Sequence, residues 1–357
     1  MAALGEFVIS ILFSGRWTRI RKGDERNMTP FKSSRTVFLV LIFAALVFSI
    51  GVSASGKRAL TFEDLMKFKT IHSAVISDDG EWVAYQLRPD RGDSEVVVRS
   101  TIGEMEYRVE RGKNPAITSD SQWVAVAVSP SFEDMEKSKK GNDEDKPQDG
   151  MTLLRTSDGT VTHVDDVEKF VFSKDGAWLA YKHYGEKEEE EKEGEGDDKE
   201  KEKKNDNVGT KLVLRELSGG REIELPLVTD FAFDEPGMFL VYAVAGPEGA
   251  GNGLFLLRLK DVGQPEEAVS REANGRYTAL TWAEDKSLLA FTAAIDDEQG
   301  KPGPAEIRIW NGQVKTAVAS SQTGDGWLVP SKNELDFSRD GTRLFFGIKP
   351  DEADEEK

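Results

Sequence analysis

The sequence predicts an all-β fold, a β-propeller of four-stranded blades. Two observations support this prediction: one hairpin motif recurs along the chain, and two further strand-like runs follow each copy except the last. The hairpin is clearest at residues 172–181, where an Asp-Gly pair joins two short apolar runs. This pair between apolar runs is a strong hairpin signal, because glycine readily adopts the positive φ that such turns need.

The hairpin motif occurs six times, each time with an acidic residue in the turn. The turn acids are separated by 41, 55, 60, 50 and 55 residues, a period typical of propellers and repeat arrays. Clear copies span residues 76–85, 117–126, 172–181 and 337–346, and weaker copies span residues 231–242 and 280–291. The turn acids are Asp79, Asp120, Asp175, Glu235, Asp285 and Asp340.

After each of the first five hairpins the chain continues with a β-rich run, a polar turn and a further strand. The β-rich runs lie at residues 95–99, 151–155, 211–215, 253–258 and 306–310. Four strands per repeat is the content of one WD40-like propeller blade. A β-sandwich also contains short, regularly spaced strands, but it does not usually repeat one four-stranded unit five times.

The repeated motif residues have a structural and a functional interpretation. Asp and Gly suit a tight turn, so we assign them to turn formation rather than to catalysis. The tryptophan after the turn is expected to pack between neighbouring blades, with a ligand-facing ring as the alternative. The residues with this predicted structural role are Asp79, Gly80, Trp82, Asp120, Trp123, Asp175, Gly176, Trp178, Asp340 and Gly341.

The N-terminal part of the chain contains what reads as a secretory signal. It begins at Met28, with basic residues, an apolar run and small residues before a predicted cleavage site between Ala54 and Ser55. This predicts export to the periplasm or beyond the cell, and an uncleaved membrane anchor is the alternative. The predicted segments are an upstream extension at residues 1–27 and a signal peptide at residues 28–54.

The rest of the chain is predicted to be a short helix followed by blades. Two inserts rich in charge interrupt the repeats, and they are expected to be disordered because they cannot bury enough apolar area. The predicted ranges are a helix at 60–70, blades at 71–350, inserts at 132–149 and 186–207, and an acidic tail at 351–357.

Composition and motif searches exclude several kinds of chemistry. The net charge of −18 excludes a generally basic nucleic-acid-binding surface. Without cysteine, the chain has no disulfide, thiolate nucleophile or cysteine metal ligand. It lacks the Gly-x-Ser-x-Gly nucleophile elbow and phosphate-binding glycine loops. Its three histidines have no partner at metal-ligand spacing. We therefore predict no catalytic residue, no metal site and no cofactor in this chain.

The blade motif resembles known propellers. Phe-Ser-x-Asp-Gly-x-x-Leu-Ala-Tyr, with the run Leu-Val-Leu-Arg-Glu-Leu-Ser-Gly-Gly at residues 212–220, is similar to blades of the periplasmic Tol-system propeller and of prolyl oligopeptidase-family peptidases. The segments at residues 60–68 and 71–85 resemble the start of secreted bacterial peptidases of that family. The resemblance implies an N-terminal propeller that caps a C-terminal α/β-hydrolase domain with a Ser-Asp-His triad. Such a propeller admits only short peptides to the hydrolase active site.

The last hairpin copy supplies only the first two strands of a blade, so about five and a half blades are predicted and the ring is expected to be incomplete. We expect the natural product to continue beyond Lys357. The expected partners are its own hydrolase domain and short peptide substrates, with no nucleic acid and with membrane contact only through the signal segment. Two alternatives stay open: a standalone propeller that binds protein or glycan, and a propeller lyase or glycosidase.

Overall fold

The computed structural model describes residues 58–139, 146–185, 208–263, 266–284, 286–298 and 300–351. The chain divides into two units, Met1–Leu60 and Thr61–Lys357, and residues 58–60 of the first form no helix or strand. The predicted extension, signal peptide, Ala54–Ser55 cleavage site and insert 186–207 lie outside the described residues. None of the described helices is long and apolar enough to cross a membrane.

The second unit is built almost entirely from antiparallel strands. Its helices are α1 (Phe62–Met66) and α2 (Phe132–Ser138). Its strands are β1 (Lys69–Ile76), β2 (Trp82–Pro89), β3 (Glu95–Ser100), β4 (Glu106–Glu110), β5 (Gly112–Ile117), β6 (Trp123–Val128), β7 (Gly150–Arg155), β8 (Val161–Val164), β9 (Val167–Phe172), β10 (Trp178–His183), β11 (Thr210–Glu216), β12 (Glu222–Phe233), β13 (Phe239–Val244), β14 (Gly253–Arg258), β15 (Glu267–Ser270), β16 (Gly275–Trp282), β17 (Leu289–Ile295), β18 (Glu306–Trp310), β19 (Val314–Val318), β20 (Trp327–Leu328), β21 (Leu335–Phe337), β22 (Leu344–Phe346) and β23 (Lys349–Pro350).

These strands form the blades of a β-propeller, as predicted. Four-stranded sheets β1–β4, β5–β8 and β16–β19 are the first, second and fifth blades. The third and fourth blades share β12, which joins them into one seven-stranded sheet. A bulge between Val228 and Asp230 separates the half of β12 that ends the third blade from the half that begins the fourth. The sixth blade has two interrupted strands, in which β20 pairs with β23 and β21 with β22.

The hydrophobic core lies between neighbouring blades. One cluster joins Val96 and Val98 of the first blade to Val124 and Val126 of the second. Similar clusters connect the second blade to the third, the third to the fourth, and the fourth to the fifth. Because the β-rich runs of the first four blades are largely buried on both faces, they read as nearly continuous apolar stretches, whereas the run of the fifth blade, Glu-Ile-Arg-Ile-Trp, alternates.

Consecutive blades are connected by a repeated backbone device. The connecting residue has a positive φ of 54–59°, and its carbonyl accepts the N–H of the residue just after the second strand of the next blade. A residue in the left-handed region lets the fourth strand of one blade turn into the first strand of the next blade within a few residues. These residues and their donors are Arg111 with Ser129, Asp166 with Tyr184, Leu227 with Ala245, and Asn274 with Asp296.

Two predicted ranges differ from the structure. Within the range predicted as a helix at 60–70, only α1 is α-helical, and β1 already begins at Lys69. The insert 132–149, predicted to be disordered, begins with helix α2, whose N-terminal N–H groups are capped by Ser131. The Ser131 hydroxyl accepts the Asp134 N–H at 3.1 Å, a local signal that the charge-based prediction did not consider.

Candidate functional site: the insert-bearing end of the propeller

The two ends of the propeller differ in the length of their longest connections. In an antiparallel sheet, the turns after the first and third strands lie at one end, and the connections after the second and fourth strands lie at the other. The loops after the second strand span residues 90–94, 129–149, 184–209, 245–252 and 296–305. Both predicted inserts belong to this class of loop, so both arise at the same end, which we call the insert end.

The opposite end, which we call the turn end, carries the Asp-Gly hairpins. In the third blade the Ser173 hydroxyl donates to Asp175 Oδ1 at 2.6 Å and accepts the Trp178 N–H at 2.9 Å. The same Asp175 oxygen accepts the Ala177 N–H, and Gly176 has a φ of +71°. Ser77 with Asp79, Thr118 with Asp120, and Ser338 with Asp340 repeat this arrangement.

In the first and sixth blades, these hydrogen bonds favour the ionised form of the turn carboxylate. Hydrogen bonds from Ser77 and from the Glu81 N–H lower the pKa of Asp79. Hydrogen bonds from Ser338 and Thr342 lower the pKa of Asp340 to about 2. A carboxylate held ionised by donors of its own turn is poorly suited to act as a general acid or base near neutral pH.

Neighbouring hairpin turns touch each other along the turn end. A Cβ at Gly176 would lie 3.4 Å from Asp120 Oδ1, and a Cβ at Gly237 would lie 2.7 Å from Asp175 Oδ1. In the same way, a Cβ at Gly341 would lie 3.0 Å from Lys286 Cδ. The turn residues therefore stabilise the contacts between blades as well as their own hairpins.

The tryptophan after the turn occupies different environments in the first three blades. Trp82 and Trp178 are buried in clusters that join two neighbouring blades. Trp123 is half-buried against the cluster between the second and third blades, and the Arg155 guanidinium lies 4.9 Å from its ring centroid. None of these rings lines the cavity described below.

The fourth blade departs from the motif. Asp234, not Glu235, is the acid that accepts the hydrogen bonds of this turn, because Asp234 occupies the position that serine or threonine takes in the first, second, third and sixth blades. Its Oδ1 accepts the N–H groups of Met238 and Phe239 at 2.8 Å, whereas its buried Oδ2 has no hydrogen-bond partner. Burial raises the pKa of Asp234, and the Asp175 charge adds to this effect. The sequence motif instead predicts Glu235 as the turn acid, because Glu235 lies next to Asp234.

At the insert end, the fourth and fifth blades line a cavity of about 280 Å³ that is open to solvent on one side. Its polar side chains come from the loops 245–252 and 296–305 and from the connecting residue Asn274. The Arg276 guanidinium donates to both oxygens of Asp296, at 2.8 and 2.9 Å, and to the Gly300 carbonyl. This buried ion pair anchors the loop of the fifth blade. The polar side chains of the lining are Glu248, Asn252, Asn274, Asp296, Asp297 and Glu298.

The histidines do not form a catalytic group with other side chains in the described part of the chain. His72 Nε2 hydrogen bonds the Thr70 hydroxyl at 2.8 Å, and His163 Nδ1 hydrogen bonds the Thr152 hydroxyl at 2.8 Å. His183 packs edge-on against the Tyr181 ring. Over the same residues, no three His, Cys, Asp or Glu side chains are grouped so that they could hold a metal ion.

No protein-family model matches the chain, and no curated protein matches it either. Among solved structures it is similar to the β-propeller domain of the Trilobed protease from Pyrococcus furiosus, at 12% identity and a TM-score of 0.41, over 80% of this chain and 83% of that one. It is also similar to an oligogalacturonate lyase solved with manganese, at 14% identity and a TM-score of 0.44, over 78% of this chain and 73% of that one.

A third similar structure is an acylaminoacyl peptidase from Pyrococcus horikoshii, at 12% identity and a TM-score of 0.40. The alignment covers 80% of this chain but only 46% of the peptidase. The chain therefore spans less than half the length of that peptidase.

Proposed function

We propose that this chain is the non-catalytic propeller module of an exported serine-type oligopeptidase or dipeptidyl peptidase. In this proposal the propeller admits short peptides to an α/β-hydrolase domain that lies outside residues 1–357. The resemblance of the segments at residues 60–68 and 71–85 to secreted peptidases of the prolyl oligopeptidase family supports it. The signal peptide proposed at residues 28–54 would export the protein.

One structural observation carries the gating role: the long loops of the second and third blades, at residues 129–149 and 184–209, arise at the same end, whereas the longest connection at the turn end spans only residues 259–266. Loops that project from one end of a propeller can narrow the approach to its axis. A narrowed approach excludes folded proteins, because only an extended chain is thin enough to pass. The propeller would thus select substrates by size, and the acyl transfer would take place on the hydrolase domain.

The non-catalytic role of this chain is tested first. We expect purified residues 58–357 to show no labelling by a fluorophosphonate probe and no hydrolysis of fluorogenic dipeptide and tripeptide substrates. Covalent labelling of a serine in this chain would contradict the proposal. The reading frame downstream of codon 357 gives an independent test, because the proposal expects several hundred codons that include Gly-x-Ser-x-Gly.

The gating role is tested on the polypeptide that carries both domains. Replacement of residues 186–207 by a four-residue Gly-Ser linker should increase the hydrolysis of long peptides and leave the rate for dipeptide substrates unchanged. A matched control is Ile102→Ser, which changes an exposed side chain in a short turn at the turn end. If the loop deletion changes neither the size range nor the rates, the gating role is wrong.

A standalone propeller that binds glycans is the second candidate, and the cavity at the insert end favours it. Carboxylate and amide groups such as Glu248 and Asn274 can hydrogen bond to sugar hydroxyls. This candidate expects a stop codon after one or two more blades. It also expects a saturable glycan-array signal that Glu248→Ala reduces, with exposed Glu235→Ala as the control.

A further inference from the structure

The chain contains three Asn-Gly sequences, and the fold places them in different surroundings. They are Asn252-Gly253, Asn274-Gly275 and Asn311-Gly312. An asparagine side chain that precedes glycine is open to attack by the next main-chain nitrogen, because glycine has no Cβ to hinder the approach. The three sites are chemically alike, so their surroundings in the fold decide which of them reacts.

The side-chain amide of Asn252 is held at both ends. Its Oδ1 accepts the Gly246 N–H at 2.9 Å, and its Nδ2 donates to the Gly275 carbonyl at 2.9 Å. The residue is buried, and Gly253 already belongs to β14, where it is paired with Val244. Because the amide cannot turn towards the Gly253 nitrogen without losing both hydrogen bonds, this site is protected.

The second site, Asn274, is protected mainly through its main chain. The Gly275 N–H donates to the Glu272 carbonyl at 3.0 Å, so the attacking nitrogen is already engaged. The Asn274 carbonyl accepts the Asp296 N–H at 2.9 Å, which fixes the connection between the fourth and fifth blades. The Asn274 Oδ1 packs against Gly249, where there is no room for a Cβ. Attack at Asn274 therefore requires the connection to open first.

The third site, Asn311, has none of these restraints. It lies in the turn between β18 and β19, just after the pair formed by Trp310 and Val314. Asn311 and Gly312 are both exposed, and a Cβ at Gly312 would meet nothing within 4 Å. Within the described part of the chain, neither the Asn311 side-chain amide nor the Gly312 N–H has a hydrogen-bond partner. Water and hydroxide therefore reach both reacting groups.

We propose that Asn311 is a site of spontaneous modification, at which attack by the Gly312 nitrogen converts the side-chain amide into a carboxylate. Hydroxide takes the Gly312 amide proton, and the nitrogen forms a bond to Asn311 Cγ. The bond from Cγ to Nδ2 then breaks, and Nδ2 takes a proton from water and leaves as ammonia. Water opens the resulting succinimide at either carbonyl, so the product is aspartate or isoaspartate. This modification does not depend on the proposed peptidase role.

The product changes the surface of the fifth blade and not its core. Either product adds one negative charge, and isoaspartate also places an extra methylene in the main chain of the turn. The strand after the turn, β19, is the edge of its sheet, and its central residues 315–317 are exposed. Ile307 and Trp310 of β18 stay buried on the other side of the turn. We therefore expect the blade to remain folded after the modification.

The first test compares the three sites in one sample. The purified full chain is kept in mildly alkaline buffer, and mass spectrometry of its tryptic peptides measures the acid formed at each asparagine. Acid should form at Asn311 at least about tenfold faster than at Asn252 or Asn274, because those two sites must first open locally. In concentrated urea the three sites should react at similar rates, since they are chemically alike.

The second test uses variants of the turn. Asn311→Gln keeps the amide but lengthens the side chain, so attack by the Gly312 nitrogen would have to close a larger ring. This variant should lose the acidic species on ion exchange and the label that a protein isoaspartate methyltransferase places on this turn. Gln313→Ala changes an exposed side chain of the same turn and should leave both signals close to wild type. Circular dichroism of each variant shows whether the fold is retained.

Three outcomes would overturn the proposal. The first is no acid at Asn311 in the folded chain over a period in which the urea sample has reacted. The second is equal rates at the three sites in the folded chain. The third is an undiminished acidic species in a folded Asn311→Gln variant, which would place the reaction elsewhere in the chain.

Discussion

The Asp175 carboxylate packs directly against Gly237 in the turn of the next blade, where a Cβ would lie 2.6 Å from the Asp175 carboxyl carbon. Glycine is required here for two reasons, the φ of +67° and the contact itself. Gly80 has the same turn position and a φ of +72°, but a Cβ there would meet nothing within 4 Å. A comparison of substitutions at Gly80 and Gly237 therefore separates the cost of backbone strain from the cost of disturbing the contact between blades.

We expect Gly80→Ala to lower the free energy of unfolding by about 1–2 kcal/mol through backbone strain alone. Gly237→Ala should cost this amount plus about 1–3 kcal/mol, because the added methyl group overpacks against Asp175. Urea unfolding of both variants, followed by tryptophan fluorescence, measures the difference. Equal losses for the two variants would show that the turns of the third and fourth blades do not touch in solution.

The repeat and its strands could be predicted from the sequence because their signals are local. An Asp-Gly turn such as Asp175-Gly176 and the apolar runs that flank it are confined to about ten residues. The location of both inserts at one end was not predicted, although it follows from the strand order once residues 132–149 and 186–207 are both assigned after a second strand.

The departures from the motif required the structure because they depend on hydrogen-bond register. Asp234 replaces a serine by accepting two N–H groups with one oxygen, whereas the repeated motif predicts the neighbouring Glu235 as the turn acid. The cavity could not be predicted from the sequence either, because a connection between blades brings Asn274 and Asp296 together. Sequence spacing alone does not reveal which connections use a left-handed residue.

Trp178 and Trp123 occupy the same motif position with different burial. Trp178→Ala should lower the free energy of unfolding by about 3–5 kcal/mol, because it empties a large volume between the third and fourth blades. Trp123→Ala should cost less than half of that, since its ring is half-buried and its Arg155 contact adds only about 0.5–1 kcal/mol. Urea unfolding by circular dichroism tests the order, and an equal or greater loss at Trp123 would contradict it.

The buried Asp234 predicts a pH-dependent stability. Its folded-state pKa is raised by burial, so the ionised form costs stability at neutral pH. This cost disappears as the pH falls through the folded-state pKa toward the unfolded value of about 3.9. Asp234→Asn keeps the oxygen that accepts the Met238 and Phe239 N–H groups and removes the charge.

The stability of Asp234→Asn relative to the wild type should therefore be highest at pH 7 and should decline as the pH falls toward 4. Urea unfolding at pH 7, 6, 5 and 4 measures this difference. The exposed Glu235→Gln is the control and should follow the wild-type pH dependence closely. A difference that does not change with pH would show that Asp234 is not buried in its ionised form.

The ion pair beneath the cavity should stabilise the fifth blade. Asp296 accepts two hydrogen bonds from Arg276, and both side chains are largely buried. Removal of one partner leaves a buried charge, so Asp296→Ala should lower the free energy of unfolding by about 3–5 kcal/mol. The exposed pair of Arg258 and Glu267, 3.3 Å apart, provides the control, and Glu267→Ala should cost less than about 1 kcal/mol. Similar losses for the two variants in urea unfolding would mean that water reaches the Arg276 guanidinium and that the loop of the fifth blade is not anchored by this pair.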